Sequence, residues 1–223
     1  YTLTNLQTDI RNYTEVDDTV LTTAVINRII ENAENKIYRA VDSDADRFYA
    51  TSNTVNGNRY VTIPSDLRII RYVQIKDSTE GNKQKFLDQR DTSFMAEYYN
   101  TPGTASGVPK YYANWDANFW VVAPTPNSTF EITLAYIKQP TSLTDSSVSS
   151  SGTYVSNKYQ DLLLYGCLVE AYGYLKGPPD LLQYYEQSYQ RAAKSYSIEQ
   201  EGRRRRDEWQ DGAIRSQIKS PSP

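Results

Sequence analysis

Apolar residues recur every three or four positions at both ends of the chain, a spacing that predicts helices there. Leu3, Leu6 and Ile10 predict a short first helix. A longer helix follows, whose apolar positions are Ile26, Ile29, Ile30, Ala33, Ile37 and Val41. Its opposite face is polar and carries Asn27, Glu31, Glu34 and Lys36. The region 3–41 is therefore predicted to hold two amphipathic helices.

The same spacing returns near the C-terminus and predicts two helices between residues 157 and 200. Ser156 can cap the first of them, Gly177 ends it, and Pro178 or Pro179 begins the second. The inward positions of the second are Leu182, Tyr185, Tyr189, Ala192 and Tyr196. Together with the N-terminal pair, these helices predict a four-helix group.

Between the helical ends, residues 49–139 alternate in the manner of strands. Asn56-Gly57 predicts a tight hairpin, and residues 116–118 predict a second one. A short helix is expected at about Phe86 to Tyr99. The strand around residues 130–139 should follow its predecessor through residues 124–128, so that the region forms an antiparallel β-meander. The fold class is α+β, with the meander inserted into the four-helix group.

A serine- and threonine-rich stretch covers residues 141–156. Ten of its sixteen residues are Ser or Thr. Such a composition lacks the apolar side chains needed for a core, so it predicts a flexible loop.

Charge separates the last residues from the rest of the chain. The net charge is −3, of which residues 202–223 contribute +3 with six basic and three acidic side chains. The other 201 residues therefore carry −6. An acidic body with a basic end differs from a protein that wraps nucleic acid over a broad face. We expect a core at 1–201 and a C-terminal arm at 202–223.

Apolar side chains follow the arginine run in this arm. A solvated continuation of the last helix would explain the arginines alone, but it leaves the apolar residues without cover. A segment that docks on another protein explains both the arginines and the apolar residues. The arginine guanidinium groups can pair with carboxylates of the partner, around apolar side chains that the partner buries. The predicted docking residues are Arg203, Arg204, Arg205, Arg206, Trp209, Ile214, Arg215, Ile218 and Lys219.

Composition makes catalysis improbable. The chain has no histidine, which removes the Ser-His and Cys-His nucleophile pairs and the commonest metal ligand. Asp42, Asp44 and Asp46 begin like a calcium loop, but Arg47 stands where glycine is needed and Asn53 where glutamate is needed. We expect no catalytic, metal or cofactor site.

Cysteine, targeting and aromatic content add three further expectations. The single cysteine, Cys167, sits in an apolar run and should be buried rather than reactive. No signal-like or membrane-spanning stretch is present, so maturation in a reducing cytoplasm is expected. The twenty tyrosines suit either a Tyr-rich core or extensive interfaces, and both remain open.

Several segments, taken in order, resemble a bacteriophage head-to-tail adaptor (connector) protein. They are "INRIIENAENKIYRAV", "YVTIPSDLRIIRYVQI", "GVPKYYANWDANFWVVAPTPNSTFEITLAYIKQPTSLTD" and the closing helices with their basic arm. The resemblance implies a dodecameric ring that docks to the portal through its C-terminal segment. It also implies contact with tail (nozzle or tail-tube) proteins, a channel through which DNA passes without specific binding, and a place in the virion.

Two other functions remain open at this level. A stopper or tail-completion protein would occupy the next ring down the tail. A small nucleic-acid-binding module would use the basic arm, and its binding would weaken steeply with salt. A hydrolase with paired carboxylates ranks behind both, because no pair is singled out.

Overall fold

A computed structural model describes residues 1–41, 43–100 and 105–207, with side chains through residue 202. The chain divides into two compact units. The helical unit comprises residues 1–45 together with the chain from residue 140 onward, and the β unit comprises residues 46–139. The predicted α+β class is confirmed.

Helices dominate the first unit. In chain order the helices of the protein are α1 (Leu3–Thr14), α2 (Thr23–Ala40), α3 (Thr92–Tyr98), α4 (Tyr154–Lys158), α5 (Gln160–Leu175) and α6 (Pro179–Asp207). All except α3 belong to the helical unit.

Helix α5 is the centre of the helical unit and packs against α1, α2 and α6. It is apolar on nearly all sides, which is typical of a helix enclosed by others. Its buried residues are Leu162, Leu163, Leu164, Gly166, Cys167, Leu168, Ala171 and Tyr172. From α2 the predicted apolar face is buried against it, and from α6 Tyr185 and Tyr196 join the core.

The ends of the C-terminal helices differ in detail from the prediction. Ser156 does not cap a helix: Thr153 is the cap of α4, and Ser156 completes a capping box three residues later. The helix then breaks at Tyr159 before α5 begins. Helix α5 ends with Lys176 in the left-handed region (φ 53°), and the N–H of Gly177 donates to the C=O of Tyr172 at 2.9 Å. This is a Schellman ending whose left-handed residue is lysine.

Residues 141–153 are turns attached to α1 and α2. Leu143 is completely buried in the helical core. The N–H of Leu3 donates to the C=O of Ser149 at 2.8 Å. Residues 154–156, predicted as the end of the loop, are instead helical. Leu143 thus attaches these residues to the helical core, although their composition predicted a loop without core contacts.

Glu34 was expected on the polar face of α2, and this is wrong. Its side chain is buried at 1% exposure. It accepts hydrogen bonds from the Ser142 hydroxyl at 2.6 Å and from the N–H of Leu143 at 3.0 Å. The polar partner that makes its burial possible comes from a distant part of the chain.

The β unit contains ten strands and α3 within its described residues. They are β1 (Arg47–Asn53), β2 (Tyr60–Thr62), β3 (Leu67–Asp77), β4 (Lys83–Phe86), β5 (Asp88–Gln89), β6 (Ser106–Gly107), β7 (Tyr111–Asn114), β8 (Phe119–Ala123), β9 (Thr125–Pro126) and β10 (Glu131–Lys138). Two four-stranded sheets have the orders β1-β10-β3-β4 and β2-β8-β7-β5, and β6 pairs with β9. Most pairs are antiparallel, whereas β5-β7 and β6-β9 are parallel.

The predicted meander is wrong in its connections. The Asn56-Gly57 turn forms, with the N–H of Asn58 donating to Val55 at 3.0 Å, but only Gly57 has a positive φ. The strands on either side, β1 and β2, go to different sheets. Likewise β10 pairs with β1 and β3 rather than with β8. The hairpin of β7 and β8 is as predicted.

The two sheets share an apolar core. Ile132, Leu134 and Tyr136 of β10 contribute to it from one sheet, and Trp120 and Val122 of β8 from the other. On the opposite side of β8, α3 covers Val121 and Ala123 with Met95. The short helix predicted at 86–99 is thus confined to α3, and Phe86 itself belongs to β4.

Candidate assembly surfaces

Helix α6 carries the first part of the predicted docking segment. It spans 29 residues, so it is about 43 Å long at 1.5 Å per residue. Gln200, buried at 3% exposure, is held near its end by Ser43 at 3.1 Å and by the Tyr159 hydroxyl at 3.3 Å. Packing therefore fixes the helix up to this residue.

The backbone of residues 203–206 continues helically beyond Gln200. Arg203, Arg204, Arg205 and Arg206 thus lie on the final turns of α6, and the predicted boundary at residue 202 falls inside a helix. Arginine, glutamate and glutamine have high helix propensity, which explains the continuation. The other predicted docking residues, Trp209, Ile214, Arg215, Ile218 and Lys219, lie outside the described residues.

Charge is distributed unequally between the two units. Residues 1–45 and 140–202 hold fifteen acidic and eight basic side chains, a net charge of −7. Residues 46–139 hold nine acidic and ten basic side chains, a net charge of +1. The acidic character of the body therefore belongs to the helical unit alone.

Tyrosines serve both as core residues and as surface residues. Those buried in the helical unit are Tyr38, Tyr172, Tyr185 and Tyr196, and those buried in the β unit are Tyr112 and Tyr136. Exposed ones include Tyr13, Tyr49, Tyr60, Tyr98, Tyr174 and Tyr184. The core interpretation is confirmed for the buried tyrosines, whereas a role of the exposed ones in interfaces stays a prediction.

Aromatic side chains cover part of the outer face of the β1-β10-β3-β4 sheet. Tyr49 of β1 is 53% exposed and Phe86 of β4 is 64% exposed. Tyr72 of β3 lies on the same face, and its ring meets that of Phe86 edge-on at 5.6 Å between centroids. Burial and the neighbouring Tyr49 raise the pKa of the Tyr72 hydroxyl.

A second exposed aromatic group lies on the other sheet of the β unit. Tyr60 of β2 and Trp115 stand 5.7 Å apart between ring centroids, and Phe119 of β8 is 39% exposed beside them. Exposed aromatic residues in groups are typical of protein interfaces, where they supply much of the binding energy. No local sequence pattern reveals these surfaces, because it is the sheet order that brings β1 and β4 into one sheet.

The described residues offer no metal centre and no reactive thiol at the surface. They contain no group of three or more His, Cys, Asp or Glu side chains that could hold a metal ion. Cys167 is buried, as expected, and burial raises the pKa of its thiol. Within the same residues, no helix is both long and apolar enough to cross a bilayer.

Groups of exposed aromatic side chains such as these are typical of surfaces that bind other proteins. The family model of the SU10 adaptor protein matches residues 1–217, and the chain belongs to this family. The predicted resemblance to a phage head-to-tail adaptor is thereby confirmed. A comparison with curated proteins gives no match.

Proposed function

We propose that this chain is the structural adaptor between the head and the tail of a tailed phage. Copies form a dodecameric ring that docks to the portal through residues 202–223 and receives tail proteins on another face. The family match over residues 1–217 is the observation that carries this proposal. The ring is assembled in the host cytoplasm and stays in the virion at the head–tail interface.

Helix α6 supports the docking step. The backbone of this long helix carries the arginine run beyond Gln200, which is the last buried residue among the side chains that the structure describes. The apolar residues of the segment that follows would be covered by the partner, which makes them suited to docking. Repetition of one modest contact around a ring multiplies the strength of attachment.

The charge distribution supports passage of DNA through the ring. Acidic side chains of the helical unit repel phosphates, and this repulsion lets a duplex slide without adhering. No specific contact to DNA is needed for this role. Because the repulsion is electrostatic, it acts within about 10 Å at moderate ionic strength.

Truncation after Asp207 tests the docking role. It removes residues 208–223 and leaves every described helix intact. The truncated protein should fold as the full chain does, judged by circular dichroism and thermal unfolding, and should fail to co-sediment with purified portal. Normal portal binding by the truncated chain would refute the role of residues 208–223 in docking.

Replacing Arg203–Arg206 with lysine provides a matched control for charge. If docking needs the planar guanidinium groups of arginine, which can bind a carboxylate through two hydrogen bonds, the lysine variant binds the portal less well than the full chain although its charge is unchanged. Salt-sensitive binding of the free protein to duplex DNA would instead favour a nucleic-acid-binding module. Binding only to a preformed portal–adaptor complex would indicate a stopper.

A further inference from the structure

The β1-β10-β3-β4 sheet ends in two edges that run in opposite directions. Each strand is antiparallel to its neighbour, and the sheet has four strands. An even number of alternating strands makes β1 and β4 antiparallel to each other. If β4 of a second copy lay beside β1, the two strands would pair in the antiparallel sense and the alternation would continue unbroken.

The β1 edge is open and lacks the features that protect sheet edges. Its seven residues keep a continuous register with β10, without a bulge or a proline. All of them except Ala50 are exposed, and no residue after Arg47 is charged. Charges, bulges or short length usually protect the edge strands of natural sheets from pairing with another chain. An edge strand without these features, such as β1, is suited to such pairing.

Hydrogen bonding shows which groups of β1 face outward. The N–H of Thr54 donates to the C=O of Phe130 at 2.9 Å, so the even-numbered residues face β10. Tyr49, Thr51 and Asn53 therefore direct their backbone groups away from β10. Among the described residues, no backbone group pairs with them.

The β4 edge follows the same logic. The N–H of Leu87 donates to the C=O of Val73 at 2.9 Å, so the odd-numbered residues of β4 face β3. Gln84 and Phe86 direct their backbone groups outward, and both side chains are exposed. Lys85 does not obstruct the edge, since its ammonium binds Asp77 at 2.8 Å and Glu80 at 2.7 Å.

The two edges match in side chains as well as in backbone. If Tyr49 lies opposite Phe86 of a second copy, Thr51 lies opposite Gln84, and all four residues present outward N–H and C=O groups. All four side chains then stand on the same outer face. The rings of Tyr49 and Phe86 become cross-strand neighbours, and aromatic pairs in this position stabilise antiparallel strands.

We propose that β4 of one copy pairs with β1 of the next, so that this sheet continues from subunit to subunit. The contact is head-to-tail, and head-to-tail contacts generate rings when the rotation closes. Strand addition at an open edge is an established mode of protein recognition. The inference rests on the proposed ring and is independent of portal docking.

Two proline variants test the pairing. Thr51→Pro removes an outward N–H of β1, and Gln84→Pro removes one of β4. Proline is tolerated on an edge strand where the N–H faces solvent, so each variant should keep its fold. Thr51→Val and Gln84→Ala keep the N–H groups and are the matched controls. Sedimentation velocity measures the oligomeric state, and thermal unfolding checks the fold.

We expect the wild type and both controls to form rings and each proline variant alone to sediment as a monomer. An equimolar mixture of the two proline variants should give a heterodimer, since the intact β4 of one meets the intact β1 of the other. Thr51→Lys, which places a charge on the β1 edge, should also give monomers. It replaces Thr51→Pro as the test of the β1 edge if that variant fails to fold.

Three results would overturn the inference. They are a monomeric wild type at all concentrations, unchanged rings in both proline variants, or loss of assembly in Thr51→Pro alone, which would indicate β1–β1 pairing. Portal co-sedimentation is measured separately on the truncated chain. That chain should still form rings, so failure of docking and failure of edge pairing are distinguishable.

Discussion

The carboxylate of Glu34 accepts the backbone N–H of Leu143, which lies 109 residues further along the chain. The two oxygens stand 3.0 and 3.2 Å from the nitrogen. Leu143 itself is completely buried among the helices. One buried carboxylate therefore joins α2 to the segment that leads into the C-terminal helices.

Removal of this carboxylate should destabilise the protein. Glu34→Ala leaves the buried N–H of Leu143 without an acceptor, which typically costs about 1–3 kcal/mol. Urea unfolding measures the loss. Glu31→Ala is the control, because Glu31 is exposed and bonds only the Thr144 hydroxyl at 2.8 Å among the described contacts. Equal losses in both variants would show that burial of Glu34 is unimportant.

The stability contributed by Glu34 should depend on pH. Burial raises the pKa of Glu34, although hydrogen bonds from Ser142 and Leu143 oppose the rise. A raised pKa in the folded state means that the folded protein holds this proton more tightly than the unfolded chain. The resulting stabilisation is complete below the ordinary glutamate pKa and is lost as the pH rises through the raised value.

Comparison with Glu34→Gln isolates this dependence. Glutamine keeps the shape but does not titrate. The free energy of unfolding of the wild type should therefore exceed that of the variant by most at low pH. This difference in stability should shrink as the pH rises. Chemical unfolding of both proteins over a pH series measures the difference. An advantage that grows with pH would contradict the direction of the pKa shift.

Local patterns were sufficient to predict α1, α2 and α6, but they missed α4 and the break at Tyr159. The apolar spacing from Ile26 to Val41 identified the buried face of α2, and Pro179 begins α6 as expected. The burial of Glu34 was not predicted, because the hydrogen bonds that its carboxylate accepts come from Ser142 and Leu143. No local sequence pattern connects these two residues to α2. Similarly, Asn56-Gly57 predicted a turn correctly, whereas the long-range pairing of β1 with β10 decided the sheet.

The assembly surfaces were predictable to a smaller extent. The arginine run and the apolar residues after it stand out in the sequence, and the family match agrees with an adaptor. The role of those residues in docking stays a prediction. Tyr49 and Phe86 could not be recognised together, because they are 37 positions apart and share a face only through the order of the sheet.

Acid should weaken the β unit through Asp77. The ammonium of Lys85, together with Thr79, lowers the pKa of Asp77 to about 2. Its lowered pKa means that the ionised form stabilises the fold above the ordinary aspartate value of 3.8, and this stabilisation is lost as the pH falls through about 2. The direction is opposite to that of Glu34.

Asp77→Asn should therefore be less stable than the wild type at neutral pH and approach it below pH 3.8. Tryptophan fluorescence can follow the β unit, since two of the three tryptophans, Trp115 and Trp120, lie in it. Asp88→Asn is the control, because the Asp88 side chain is 67% exposed and lies 3.9 Å from Arg90. A constant difference between wild type and Asp77→Asn across the pH series would contradict this assignment.

Two glycines near the end of α5 should respond in opposite ways to alanine. A Cβ at Gly177 would stand 2.5 Å from the ring of Tyr172, and that ring is fixed by its burial and by a hydrogen bond from its hydroxyl to the C=O of Tyr13 at 3.1 Å. Gly177→Ala forces this ring or the Schellman turn to move, and overpacking of this kind costs about 1–3 kcal/mol.

Gly173 lies one turn earlier, and a Cβ there meets no atom within 4 Å. Since alanine is favoured over glycine in a helix interior by about 1 kcal/mol, Gly173→Ala should leave stability unchanged or raise it by up to that amount. Urea unfolding of both variants gives the comparison. If Gly177→Ala proved as stable as Gly173→Ala, the close packing of Tyr172 on the end of α5 would not be what requires glycine at position 177.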